Sequence, residues 1–356
     1  MRPVLRLCSF APVPAVAAVV AGAGIFVAQV VRYPGSEHEG AAFDIERVTA
    51  GVYLARGTGA MSVGANVAVV EGERSLLIVD SNVSPAAAAT LLEELRAVTD
   101  KPVRTVVNTH FHFDHAHGNQ VYGPDVEIIG HEFTREMIVA GRSMSGRTYD
   151  AMIGSLPERI AQLRAQLDSA SDASVRSDLE RQITAQESYR AATSAVTPVP
   201  PRTTLTRRLT LHGDGRTVRV LFLGRAHTGG DVIVHLPEDG VLITGDMLSS
   251  NPPYMGDSYP IEWIETLEQL KRLEFDWIVP GHGPAFQDRA KIDQLQAYLR
   301  DFWARARQLH SAGVGASEAA RRIDMRDHAG SFSSVRSPGV SVLAVERVFD
   351  LFEGGG

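Results

Sequence analysis

The sequence predicts a mixed α/β fold in which a β-sandwich is covered by helices, and three observations carry that reading. Short apolar runs with period-two alternation, separated by Gly-rich turns, fill the stretch after residue 42 and resume after residue 202. Each round of strands is followed by segments whose apolar residues recur at helical spacing. Within the first round lies a strand–helix–strand unit of the kind that builds an α/β layer. At 356 residues, 44% hydrophobic and 22% charged, the chain has ample material for a large core. The net charge is −7 and no long basic run occurs, which argues against a nucleic-acid-binding surface.

The chain opens with a distinctive leader. Arg2 and Arg6 precede an apolar run over residues 7–31 that Arg32 stops. A basic start followed by an apolar stretch predicts export. Ala21-Gly-Ala23 fits a small-residue cleavage site, while residues 15–31 approach the shortest membrane span of about 17 residues. Residues 1–32 therefore read either as a cleaved signal peptide or as an uncleaved N-terminal membrane anchor. The expected location is periplasmic or extracellular, free or tethered at the N-terminus. Cys8, the only cysteine, lies in this leader. The body can form no internal disulfide, and any metal site in it must be built from His and carboxylate.

After a spacer over residues 33–42, four runs read as a meander of strands: Phe43-Asp-Ile-Glu-Arg-Val, Val52-Tyr-Leu-Ala, Asn66-Val-Ala-Val-Val and Ser75-Leu-Leu-Ile-Val. Ser84-Pro85 starts a helix, with Ser as cap, Pro at the first helical position and Leu91, Leu92 and Leu95 on one face. Thr105-Val-Val and Val126-Glu-Ile-Ile are further strands, the latter leading into a helix over 131–139 in which His131 is a polar residue near the start. Residues 141–201 differ in character. Ile160, Leu163, Leu167, Leu179 and Ile183 recur at helical spacing among charged residues, which predicts a helical hairpin inserted into the body, a lid or a partner contact. Strands resume over 203–211, 217–223, 232–236 and 241–244, and helices follow over 261–273 and 288–309. The main domain is thus placed at 43–311, with a partly helical tail over 312–356.

Chemistry concentrates in Asn108-Thr-His-Phe-His-Phe-Asp-His115, where His110, His112, Asp114 and His115 fall within six residues. Alone, any of these histidines reads as a structural or solvated loop residue. Together, at the end of a buried strand, they are ligands suited to zinc, with His110 and His112 on one side of an extended chain and Asp114 and His115 free to face a neighbouring cation. Three later strands end in the same way, with a ligand type where glycine allows close backbone approach: His227 in Gly224-Arg-Ala-His-Thr-Gly-Gly, Asp246 in Thr244-Gly-Asp, and His282 in Gly281-His-Gly.

Taken in this order, the histidine loop, the His-Thr turn, the Gly-Asp and the Gly-His-Gly resemble the metallo-β-lactamase-fold hydrolase superfamily over residues 43–286. The resemblance implies an αββα sandwich with a dinuclear site at one edge of two packed sheets. It assigns His110, His112 and His227 to a first metal, Asp114, His115 and His282 to a second, and Asp246 to a bridging position. Asp80, ending Leu76-Leu-Ile-Val-Asp, would orient a ligand through a hydrogen bond. His117 stands where many members carry Gly and receives no role. A bridging aspartate in place of cysteine resembles the glyoxalase II-like thioesterases and lactonases more than the largest lactamase subclass. Histidine at position 112 favours zinc, with iron or manganese compatible with the same residue types.

The reaction implied is hydrolysis of an ester-like or amide-like bond in a small molecule, a thioester or lactone for example, by hydroxide held between two zinc ions with Asp114 taking the proton. A β-lactamase, a phosphodiesterase or nuclease, and a non-catalytic metal-binding accessory protein are the alternatives. Asn251-Pro-Pro-Tyr-Met-Gly-Asp-Ser-Tyr259 follows the bridging aspartate and offers Tyr254 and Tyr259, with Trp263 beyond, to a substrate pocket.

Overall fold

Strands buried on both faces need cover on both. In β3 (Val67–Glu71), Val67 and Val69 face one way and Ala68 and Val70 the other, and all four are buried. The same holds for β4 (Leu76–Val79) in the first half and β10 (Val232–Leu236) in the second. The computed structural model describes residues 32–252 and 254–355; the leader and Cys8 lie outside the described residues.

Among the described residues, twelve strands form two sheets. In the first sheet, β1 (Phe43–Thr49), β2 (Val52–Gly57), β3 and β4 run as an antiparallel meander. β5 (Val103–Val107), β6 (Glu127–His131) and β7 (Thr203–Leu205) then add in parallel. In the second sheet, β8 (Arg208–Gly213), β9 (Arg216–Phe222), β10 and β11 (Val241–Gly245) are antiparallel, with β12 (Trp277–Pro280) parallel to β11.

The run 203–211, which the sequence presents as one strand, is two. β7 pairs with β6 at the edge of the first sheet, and after Thr206-Arg207 the chain enters the second sheet as β8 against β9. Each half satisfies the backbone groups of a different sheet edge, which one continuous strand could not do.

Helix α1 (Pro85–Glu94) begins as its cap dictates, with Ser84 Oγ accepting from the Ala87 amide and Pro85 in the first turn. After the single turn α2 (Phe113–Ala116), the two-turn α3 (Glu132–Val139) and the single turn α4 (Arg147–Tyr149), the chain makes α5 (Leu156–Ser169) and α6 (Ala173–Ser194), which pack on each other. Leu91 of α1, Leu156 of α5 and Ala192 of α6 bury the outer face of the first sheet against Val67, Ile78, Val106 and Ile128. On the far side, α7 (Pro260–Leu270), α8 (Ala290–Ser311), α9 (Ala316–Arg322) and α10 (Val342–Phe352) cover Ile233, Leu242 and Ile278 with Trp263, Leu267, Phe302, Ala320 and Val345. Between the sheets lie Leu54, Val79, Val107, Val220, Val234 and Ile243. The result is an αββα sandwich. No helix among the described residues is long and apolar enough to cross a membrane.

Candidate metal centre

The carboxyl ends of β4, β5, β11 and β12 open on one edge of the sandwich, together with the loop before β10. β5 stops at Val107, so His110 and His112 are not on an extended strand as the sequence suggested; the chain turns, and His112 caps α2. The turn is pinned by Asn108, whose side chain exchanges two hydrogen bonds with Asn119 and donates to the His115 carbonyl. From the neighbouring strand end, Asp80 accepts from the Thr109 amide at 2.7 Å and from its hydroxyl. Asp80 itself sits at φ +67°, a left-handed conformation costing roughly 1–2 kcal/mol that these contacts hold in place.

Three ring nitrogens meet in this turn. His112 Nδ1 lies 3.1 Å from His110 Nε2 and 3.0 Å from His227 Nε2. For His110 and His112 the outer partners fix which nitrogen carries the proton. Thr109 gives its hydroxyl proton to Asp80, so its oxygen accepts from His110 Nδ1 at 3.0 Å. His112 Nε2 donates to Asp257 Oδ2 at 3.0 Å. Both inner nitrogens are therefore lone pairs facing each other at hydrogen-bond distance with no proton between them. A cation is what resolves such a contact.

The second cluster adjoins the first. His115 Nδ1 donates to Asp80 Oδ2 at 2.7 Å, which leaves Nε2 facing Asp114 Oδ2 at 3.7 Å and Asp246 Oδ1 at 3.4 Å. His282 Nε2 lies 3.3 Å from Asp114 Oδ2 and 3.4 Å from Asp246 Oδ2. Asp246 Oδ2 is also 3.4 Å from His227 Nε2, so this carboxylate stands between the two clusters. The His115 Nε2 and Asp246 Oδ1 atoms are buried without a hydrogen-bond partner. Gly281 makes the close approach possible: a methyl group there would lie 2.2 Å from Asp246 Oδ1 and 2.8 Å from His115 Cε1.

Charge divides the centre. Burial and the neighbouring imidazoles hold His110 well below its ordinary range, and burial takes His227 down to about 4. Burial opposes protonation of His115 too, but Asp114, Asp246 and Asp80 overcome it and raise His115 to about 9. Asp246, aided by Asp114, raises His282 well above its usual value. Against burial, the His115 and His282 imidazoles hold both Asp114 and Asp246 below the carboxylate range. One face is built of neutral imidazole and the other calls for positive charge. Neutral imidazoles, ionised carboxylates and orphaned buried lone pairs on three overlapping triads of this kind fit metal ions.

All seven residues singled out as ligands meet here, and Asp80 is hydrogen-bonded to one of them. The aromatic candidates divide. The Tyr254 ring centroid lies 6.3 Å from that of His112 and 6.4 Å from that of His227, with the ring half-buried. Tyr259 is buried between the guanidiniums of Arg225 and Arg347, 4.2 and 4.5 Å from its centroid. Trp263 is fully buried beneath His227 and donates from Nε1 to the Met247 carbonyl, a packing role. His131 caps α3 through the Phe133 amide and stacks on Phe222, and the buried His117 bonds the Ser143 carbonyl. Asp257 is a site residue that sequence reasoning missed; a lone Asp between Gly and Ser carries no signal.

A family model described as the metallo-beta-lactamase superfamily matches residues 61–282. The linear primary-alkylsulfatase of Pseudomonas sp. (strain ATCC 19151) is 25% identical over 247 residues, 65% of this chain and 44% of that protein. The 2,4-dinitroanisole O-demethylase subunit alpha of Nocardioides sp. (strain JS1661) is 26% identical over 217 residues, 60% of this chain and 51% of that one. The chain thus spans about half the length of these curated relatives. Among solved structures, the stereoselective inverting sec-alkylsulfatase Pisa1 from Pseudomonas sp. superposes with a TM-score of 0.62 at 17% identity, covering 88% of this chain and 50% of that one. A metallo-beta-lactamase from Pontibacter korlensis gives 0.51 at 18% identity, covering 72% and 99%. At those identities the likeness is one of fold.

Proposed function

Because the chain belongs to the metallo-beta-lactamase superfamily, we propose that it is a metal-dependent hydrolase acting on an ester-like or amide-like bond of a small molecule, with two zinc ions as its cofactor. The observation that carries this reading is the convergence of five imidazoles and two carboxylates on one edge, where His110 and His112 turn lone pairs toward each other and His115 Nε2 and Asp246 Oδ1 are buried without a partner. In the proposed arrangement His110, His112 and His227 hold one ion, Asp114, His115 and His282 the other, and Asp246 serves both. Bound there, the ions supply Lewis acidity that polarises the scissile bond and lowers the pKa of water toward about 7.

The remaining work falls to the chain itself. Thr109, Asp80 and Asp257 keep three imidazoles oriented with their lone pairs inward. Asp114, kept ionised beside the centre, is placed to accept a proton from attacking water. Export rests on Arg2, Arg6 and the apolar run over 7–31, and places the activity outside the cytoplasm.

Sulfate esters form a second reading within the same class, favoured by the match to a primary-alkylsulfatase over 65% of the chain. Turnover of a primary alkyl sulfate, a thioester, a lactone, a β-lactam and a phosphodiester by the metal-loaded protein separates these readings. His110→Ala and Asp246→Ala are expected to lose bound metal and turnover together. Retained turnover in metal-free His110→Ala protein would sink the proposal.

A further inference from the structure

The hydrogen bond from His112 to Asp257 is the end of a longer chain of contacts that reaches two distant parts of the sequence. Asp257 Oδ2, which accepts from His112 Nε2 at 3.0 Å, also accepts from the buried Thr148 hydroxyl. Thr148 belongs to the segment inserted between β6 and β7. Its Oγ1 lies 3.2 Å from Tyr254 Oη. A carboxylate only accepts, so Thr148 spends its proton on Asp257 and the tyrosine hydroxyl is left to donate to Thr148. Every donor in this row points toward Asp257, and Asp257 points at one metal-facing imidazole.

The loop is shaped for this contact. A methyl group on Gly256 would lie 1.8 Å from Tyr254 Oη, so any larger residue there would drive the tyrosine out. Arg147, next to Thr148, donates to the Gly256 carbonyl at 3.2 Å and pairs with Asp350 of α10 at 2.5 Å. The C-terminal helix, the inserted segment and the loop after the bridging aspartate thus meet behind His112.

We propose that Asp257 is a positioning residue for the three-histidine side of the metal centre, and that the inserted segment takes part in that centre through Thr148. Asp257 holds His112 in the tautomer whose Nδ1 lone pair faces His110 and His227. Thr148 fixes the carboxylate, and Arg147 with α10 fixes the turn that carries Thr148. The partner acted on is the metal ion, not the substrate. This assignment rests on the metal-centre reading above, and the experiment separates the two.

Full-length protein is stripped of metal and titrated with Co(II), following its visible absorption, and with Zn(II), following stoichiometry; thermal unfolding is recorded in parallel. The wild-type chain is expected to take up two equivalents. Asp257→Ala is expected to weaken one equivalent by about 10–100-fold, the usual effect of losing a partner that orients a metal-bound histidine, and to leave the other unchanged. Asp257→Asn, which can still accept from Nε2, recovers part of that loss, and Thr148→Val weakens the same equivalent by less than Asp257→Ala. Unchanged affinity for both equivalents in Asp257→Ala overturns the assignment alone. An equal loss at both, with a lowered unfolding temperature and no recovery in Asp257→Asn, also overturns it by making the residue merely structural. A wild-type chain that takes up no metal overturns the functional reading and this assignment together.

Discussion

Gly281 shows how closely single residues are fitted to this centre. A methyl group 2.2 Å from Asp246 Oδ1 cannot be absorbed by a flexible neighbour, because the carboxylate is already held between His115, His227 and His282. Gly281→Ala is therefore expected to displace Asp246 and lower metal affinity by roughly tenfold or more with little change in unfolding temperature, checked by metal titration and calorimetry. His117 makes a different kind of prediction. Burial holds its folded-state pKa at about 4, below the ordinary 6.5. Between those values the unfolded chain binds a proton that the folded chain refuses, so stability falls as pH drops from about 6.5 to 4, by roughly 3 kcal/mol in total. His117→Gln keeps a donor for the Ser143 carbonyl and removes the titration. Denaturant unfolding of that variant across this range is expected to show a shallower loss; an unchanged slope would contradict the assignment. At this scale the convergent cluster was legible because four of its residues sit in one short stretch and three more stand between glycines or after one. Asp257 and Thr148 were not, since each is a lone polar residue whose meaning arises only when loops 109 positions apart meet.

Secondary-structure elements were legible wherever a local signal existed. Ser84-Pro85 announces α1, and alternation announces β1 to β4. The switch between β7 and β8 has no such signal: residues 203–211 contain neither Gly nor Pro, and only the presence of two sheet edges divides them. The geometry of the histidine loop was hidden for the same reason, because the stop of β5 at Val107 depends on Asn108 pairing with Asn119. Trp263 of α7 joins an element to the site. It fills the core below the end of β11 and holds the Met247 carbonyl, next to Asp246. Trp263→Ala is expected to cost about 3–5 kcal/mol of stability, read from denaturant unfolding. A loss under 1 kcal/mol would mean that α7 does not support the site through this side chain.

For the molecule as a whole, the sandwich brings the seven proposed ligands from three strand ends and one loop to a single edge, with Asp80 from a fourth strand end beside them, while its two helical layers keep the remaining surfaces covered. Fold and metal chemistry are coupled there: the strands exist for packing reasons, and the centre uses the turns that packing leaves open. The measurement that tests the central claim most directly is the metal content of the purified full-length protein before and after chelation. The account predicts close to two zinc equivalents per chain, loss of hydrolysis on chelation and its return when zinc is restored. Protein that holds no stoichiometric metal, or that hydrolyses a substrate equally well without it, would contradict the account.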